Sequence, residues 1–413
     1  MLADVSGGYP RMASDGQVPT SFPPVEWEEQ IWAGGSIASL GPSSTHLSQR
    51  GRTYRSAVPS PIADFGFTTE RETALLAREA EFELIRFDSE SGIKLRSFAP
   101  ILLRSEAASS SQIENLTASA RAVFTAEAGG KAARNAGQVS ANSRAMIAAI
   151  DRVEHVNLQA ILGMHAELMR DEPRHTPGQL RDEPVWIGAS AQSPIGADFV
   201  APHHTRLEVL MSDLVRFANR TDLPPLEQVA VTHAQFETIH PFSDGNGRTG
   251  RALAQTMLRS SGLTRNVVVP VSAGLLLDVD GYHAALSSYR DGDHQPIVLA
   301  FASAALRAVP NGRQLVADLE RIAEQWQQAS NVRPGSVREA VLTFALERPV
   351  FTAEQVAGHL NRSPSNIYRY LQGLAADGVL AVGAEYRGPK LWRAPDVLAA
   401  IDAFAQRAGR RGF

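Results

Sequence analysis

The sequence predicts a mainly α-helical protein, with β structure confined to one short hairpin and to the end of a separate C-terminal section. Three observations carry this. Apolar residues recur at helical spacing through long stretches; in residues 226–239, Leu226, Val229, Ala230, His233 and Ala234 mark one buried stripe. Two β-prone runs, 185–187 and 198–200, flank a turn rich in Gly, Ser and Pro and read as a hairpin. The segment Asn331-Val-Arg-Pro-Gly335 is a natural linker, and the pattern beyond it changes.

Taken in order, residues 1–24 are rich in Gly, Pro, Ser and Asp, lack a secretory hydrophobic region, and are expected to form a mobile arm. Residues 25–61 read as irregular with an amphipathic start. Helical patterns follow over 69–86 and around 102–128, and the Gly129-Gly130 pair marks a turn. A core is expected over 138–309, closing with a buried helix at 297–309 that is too short, and carries Arg307, for a membrane span. A polar linker helix, 312–329, leads out within a linking segment placed at 310–334. Beyond it come helices at 336–346, at 352–360 with Thr352 as cap, and from Ser363-Pro364 to Ala376, where Gly378 ends the last. Two strands, 379–382 and 391–393, then surround Arg387-Gly-Pro-Lys390. Helix, helix, recognition-type helix and wing is the winged-helix pattern, over 335–413.

Composition sets ordinary bounds. A chain of 413 residues with 44% hydrophobic and 20% charged residues is a normal multi-domain globular composition. The net charge of -4 gives no whole-chain case for nucleic acid or an anionic membrane. The chain has no cysteine, which excludes disulfides, thiolate metal sites and cysteine nucleophiles. His203 and His204 are expected to point apart, and no structural zinc site is expected.

The most informative run is His240-Pro-Phe-Ser-Asp-Gly-Asn-Gly-Arg-Thr-Gly-Arg251. Gly245, Asn246 and Gly247 permit a tight turn whose amides converge on an anion. Apolar periodicity resumes at Ala252, Leu253, Thr256 and Met257, so a helix starts at this turn and a phosphate would sit at its N-terminus. Arg248 and Arg251 share one face of the first turn and can grip further phosphate oxygens. Asp244 is the hard oxygen ligand a phosphate-bound magnesium would take. His240, at the end of the preceding helix, titrates near neutrality and can accept a hydroxyl proton. Together these describe a nucleoside triphosphate site with a base beside it.

This run resembles the signature of the Fic family, H-P-F-x-[D/E]-G-N-G-R-x-x-R, with every fixed position filled. Nine such matches by chance have a probability on the order of 10⁻¹¹ per starting position. The resemblance implies a Fic-type helical core, ATP and Mg2+, and transfer of AMP from ATP to a protein hydroxyl. A related kinase-like branch carries lysine and alanine changes in the loop; Gly247 and the absence of lysine here favour the adenylyl orientation. The hairpin, with Ile187 and Gly188, is similar to the Fic flap on which a target segment is laid; its alternative is an ordinary surface hairpin. Ser110-Ser-Gln-Ile-Glu114-Asn115, on a helix near 105–118 of the 25–137 region, resembles the family's inhibitory motif, in which the glutamate would pair with Arg251. A capping box starting at Ser111 is the structural rival. Tyr282 lies in a stretch resembling the one that closes over adenine, with plain core packing as the alternative. Tyr54-Arg-Ser-Ala-Val-Pro-Ser-Pro-Ile62 resembles the entry of Fic N-terminal regions.

The implied partners are ATP and a target protein, which includes the chain itself, with a homodimer and DNA as further candidates and no membrane. Residues 335–413 hold 10 basic and 7 acidic residues. Arg362, Arg369, Arg387 and Lys390 sit where a recognition helix and wing would meet phosphates, though a protein interface fits the small excess as well. A bacterial cytoplasmic location is the simplest fit. Two other functions stay open: a DNA-binding regulator whose core senses nucleotide, and removal of adenylate by water oriented on Glu114.

Overall fold

The computed structural model describes residues 22–34, 50–90, 92–151, 155–188, 193–383 and 389–409. Helices dominate. Strands β1 (Glu26–Ile31) and β2 (Thr53–Val58) pair antiparallel, Glu26 opposite Val58 and Ile31 opposite Thr53. Helices α1 (Arg71–Glu90), α2 (Gly92–Ile113), α3 (Ala120–Glu127), α4 (Arg134–Asp151) and α5 (Leu158–Met169) follow. A hairpin of β3 (Trp186–Ile187) and β4 (Phe199–Val200) precedes α6 (Leu207–Ala218), α7 (Pro225–Ile239), α8 (Asn246–Ser260), α9 (Val271–Leu276), α10 (Val279–Arg290) and α11 (Gln295–Ala329). The C-terminal section holds α12 (Val337–Glu347), β5 (Val350–Thr352), α13 (Ala353–His359), α14 (Pro364–Ala376), β6 (Ala381–Gly383), β7 (Leu391–Arg393) and α15 (Pro395–Arg407). Its three strands form an antiparallel sheet in the order β5-β7-β6.

Several expectations change. The irregular reading of residues 25–61 misses the β1–β2 hairpin, whose strands lie too far apart in sequence for a local turn signal to join them. Phe22, within the expected mobile arm, is buried and stacked on Phe65 at 4.8 Å, and residues 1–21 lie outside the described residues. The rings of His203 and His204 sit 4.1 Å apart rather than pointing away. The boundary at residues 309–310 also disappears. Helix α11 runs through Pro310 for 35 residues, burying Ile297, Val298, Phe301, Ala305 and Val309 before it and Leu315, Leu319, Ile322 and Trp326 after it. Proline removes one backbone bond and is costly in isolation. Here α1 lies alongside: Phe87 packs onto Gly312, and Arg313 pairs with Glu83 and Glu90, both at 2.9 Å.

The C-terminal section shares the main hydrophobic core instead of hanging on a linker. Asp402 accepts the Ala120 amide at 3.1 Å, Trp326 Nε1 donates to Asp396 at 3.2 Å, and Arg407 donates to Asn311 at 2.7 Å. Each fully buried Leu, Ile or Phe in that core contributes about 1.5–3 kcal/mol. Lys390 is packed on Tyr368 and Trp392, 4.6 and 5.2 Å from their ring centres. Arg387 lies outside the described residues.

One close approach sets the core's geometry. A Cβ on Gly274 of α9 would lie 2.0 Å from the Ala304 carbonyl oxygen of α11. Gly274→Ala is therefore expected to lower stability by about 1–3 kcal/mol, as overpacking does. An unchanged urea midpoint would show that α9 and α11 can part without cost.

Candidate active site

The site forms where α7 ends and α8 begins. His240 follows α7 with φ 50°, in the left-handed region, and its amide donates to the Phe236 carbonyl at 2.8 Å. Pro241 disfavours the helical conformation at residue 240, so the chain must turn there. The His240 Nδ1 lies 3.3 Å from the Glu237 carbonyl, a group that only accepts, so Nδ1 carries the proton and Nε2 keeps its lone pair. The ring is 24% exposed and lines a cavity of about 260 Å3. Burial, and next the Arg181 cation, push its pKa down to about 4, so it is neutral at cellular pH. Glu237, whose carboxylate lies 3.8 Å from Nδ1, is pushed up to about 7 by burial.

The loop after His240 is held shut by its own side chains. Asn246 Oδ1 accepts the Phe242 amide at 2.9 Å, and Asn246 Nδ2 donates to the Phe242 carbonyl at 2.8 Å. The Asn246 side chain is therefore structural, and only its amide is left to serve phosphate. Phe242 stacks on His165 at 3.7 Å. Nδ1 of His165 accepts the Gly178 amide at 3.0 Å, so Nε2–H donates to the Asp244 carbonyl at 3.2 Å. Burial pushes His165 down to about 4 and keeps it neutral. Gly245 has φ 76°, and a Cβ there would meet Leu168 at 2.9 Å. Helix α8 opens at Asn246, and the first-turn amides of a helix have no acceptor within it.

Arg248 and Arg251 sit as the spacing requires. Arg248 is buried, its Nε has no hydrogen-bond partner among the described residues, and its Nη2 lies 3.8 Å from Asp244 Oδ1. A buried, unpartnered guanidinium nitrogen beside an amide-lined cavity is what an oxyanion would satisfy. The Asp244 carboxylate is half-exposed at the mouth; Oδ1 accepts the Gly245 amide at 2.7 Å, and Oδ2 lies 3.7 Å from His175 Nε2.

Glu114 lines the same cavity. Helix α2 ends at Ile113, and Asn115 takes φ 60°, with its amide on the Gln112 carbonyl and that of Leu116 on the Ser111 carbonyl. This left-handed cap explains why the position suits only Gly or Asn. Directly before this cap, the Glu114 carboxylate lies on Arg251, 2.8 Å from Nη2. Arg251, 2% exposed, also donates to the Ser110 hydroxyl at 2.9 Å and the Ser110 carbonyl at 2.8 Å. Burial opposes ionisation of Glu114, but Arg251 and Arg248 outweigh it and hold its pKa below the ordinary value. The capping-box reading is corrected: Ser111 lies inside α2, where its hydroxyl donates to the Ala107 carbonyl. A Cβ on Gly247 would fall 2.0 Å from Glu114 Oε1, so the carboxylate rests directly on the loop. The remaining space is below the roughly 300–1,000 Å3 of ordinary ligand pockets.

The hairpin lies beside the base. Trp186 faces Val200 and Ile187 faces Phe199; Ile187 is exposed, and Gly188 has φ 132° with Asp198 N only 2.6 Å from a Cβ built there. Tyr282 does not line the cavity. It is 3% exposed, its hydroxyl 2.7 Å from His233 Nε2, so the adenine expectation gives way to core packing. Arg181, His165, His175 and Glu237 were not singled out from the sequence. Each reads there as an ordinary loop or helix residue.

Residues 155–258 match the Fic/DOC family and residues 76–151 match the Fic/DOC family N-terminal region. The chain is a Fic family protein. Among its relatives, this Fic protein is 27% identical over 148 residues to protein adenylyltransferase fic-1 of Caenorhabditis elegans, covering 35% of this chain and 26% of that protein. It is 30% identical over 146 residues to protein adenylyltransferase fic-1 of Caenorhabditis briggsae, covering 35% and 26%. The match thus spans about a quarter of the length of these curated relatives. A crystal structure of a Fic family protein from Desulfovibrio desulfuricans shares the fold, with a TM-score of 0.50 and 23% identity over 79% of this chain and 97% of that one. No helix among the described residues is long and apolar enough to cross a membrane.

Proposed function

We propose that this Fic protein is an autoinhibited adenylyltransferase that moves AMP from ATP to a hydroxyl of a protein, itself included. The observation that carries this reading is the neutral His240 ring facing a cavity lined by Gly245, Asn246, Gly247 and Arg248. His240 Nε2 would take the proton of the incoming hydroxyl as its oxygen bonds to the α-phosphorus and the bond to pyrophosphate breaks. The α8 amides, Arg248 and Arg251 would hold the phosphate oxygens and take up charge on the departing pyrophosphate. Asp244 offers one carboxylate, which together with phosphate oxygens and waters fits magnesium; bound there, the ion would neutralise phosphate charge. The exposed edge of the β3–β4 hairpin, at Ile187 and Gly188, would lay down the target segment by backbone pairing. The C-terminal section reads as a winged helix that serves as a protein-contact unit, since Lys390 is already engaged by aromatic rings.

The test is the fate of the label. With Glu114→Gly protein, label on the α-phosphate of ATP is expected to enter protein, and label on the γ-phosphate to stay in solution. Incorporation from the γ-position would replace adenylyl transfer with phosphoryl transfer, and none from either would remove the enzyme reading.

A further inference from the structure

Arg181 is a buried cation outside the motif, and nothing in the proposed chemistry uses it. It is 6% exposed, and among the described residues every hydrogen bond its guanidinium makes ends on a backbone carbonyl. Nε donates to the His240 carbonyl at 2.8 Å, Nη2 to the Pro202 carbonyl at 2.7 Å and the Ile239 carbonyl at 3.4 Å, and Nη1 to the Glu183 carbonyl at 3.0 Å. Its own amide donates to the Pro241 carbonyl at 3.0 Å. Ile239, His240 and Pro241 are the turn that presents the base. Glu183 and Pro202 are the two stems of the hairpin, just before β3 and just after β4. One planar side chain therefore ties the base to both ends of the hairpin.

We propose that Arg181 is a positioning residue that fixes the flap and the catalytic base in one geometry. The inference rests on the adenylyl-transfer reading and deepens it. The left-handed turn at His240 points its carbonyl away from α7, and the guanidinium captures that carbonyl while reaching across to the hairpin. A target hydroxyl laid on the hairpin would then meet Nε2 at a distance set by the covalent frame of one arginine. Burial is the main influence holding the His240 ring unprotonated, and the Arg181 cation is the next. Burial lowers the arginine's own pKa to about 10, so it remains a cation at neutral pH. Lysine cannot replace it: a single ammonium on a flexible stem cannot span carbonyls on three segments.

The test uses the full chain carrying Glu114→Gly, with Arg181→Lys and Arg181→Gln added separately. Arg181→Lys is expected to lower kcat about 10²-fold, the cost of a misplaced base, with KM for ATP changed by less than about threefold because the phosphate ligands are untouched. Arg181→Gln removes the charge as well, so the His240 ring pKa, followed by NMR of its Cε1–H, is expected to rise, and to stay depressed in Arg181→Lys. A folded Arg181→Lys protein with unchanged kcat, or an unmoved ring pKa in Arg181→Gln, overturns the proposal. Should Arg181→Gln not fold, kcat of Arg181→Lys decides alone. If Glu114→Gly transfers no adenylate at all, the functional reading fails, while the NMR titration still judges the hold of Arg181 on His240.

Discussion

Glu114→Gly is expected to raise adenylate incorporation roughly tenfold or more over the unmodified chain. Arg251 is enclosed by Ser110 and Glu114, and the carboxylate lies on Gly247 where a terminal phosphate would go. A hydrogen bond to a charged group contributes about 1.5–3 kcal/mol. Glu114 is 40% exposed, so solvent screening favours the lower end, and about 1.4 kcal/mol is a factor of ten in nucleotide occupancy. Removal does two things at once: it empties the space above Gly247 and frees a guanidinium to bind phosphate instead. The same change should lower the melting temperature, because Arg251 loses its carboxylate while remaining buried. Activity up and stability down together is the signature of a brake that also helps hold the fold. Glu114→Gln, which keeps the shape and loses the charge, should fall between the two proteins. Equal incorporation by all three would remove Glu114 from any inhibitory role.

The motif and its consequences were legible in the sequence because they are local. The glycines, the proline after His240 and the spacing of Arg248 and Arg251 each act within one or two turns of chain. Glu114 was legible only by resemblance: the left-handed Asn115 cap that ends α2 directly after it is local, but its partner Arg251 lies on the distant α8. What stayed hidden depends on distant partners. Arg181 looks like a solvated loop arginine until the hairpin stems fold around it. Strand β1 finds its partner only beyond a long intervening segment, and α11 survives Pro310 because α1 packs along it. Tyr282 has the composition of a base-stacking residue, and only the neighbouring His233 shows that it belongs to the core.

His240→Ala in the Glu114→Gly background should cut the transfer rate by about 10²–10⁴-fold, the usual contribution of a general base. Nucleotide binding should persist, because the α8 amides, Arg248 and Arg251 are unchanged, so the loss belongs in kcat and not in KM for ATP. The pH profile separates a base from a structural histidine. Proton acceptance requires the neutral ring, and burial together with Arg181 depresses its pKa to about 4. The competent form is therefore already complete well below the ordinary histidine range, and it is lost only as pH falls through the depressed value. The acid limb of kcat/KM, which reports the free enzyme, should accordingly stay flat from pH 8 to about 5 and drop beneath that. A midpoint at 6.5 or above would mean a solvated imidazole, which contradicts the enclosed ring that Glu237 and Arg181 hold in place.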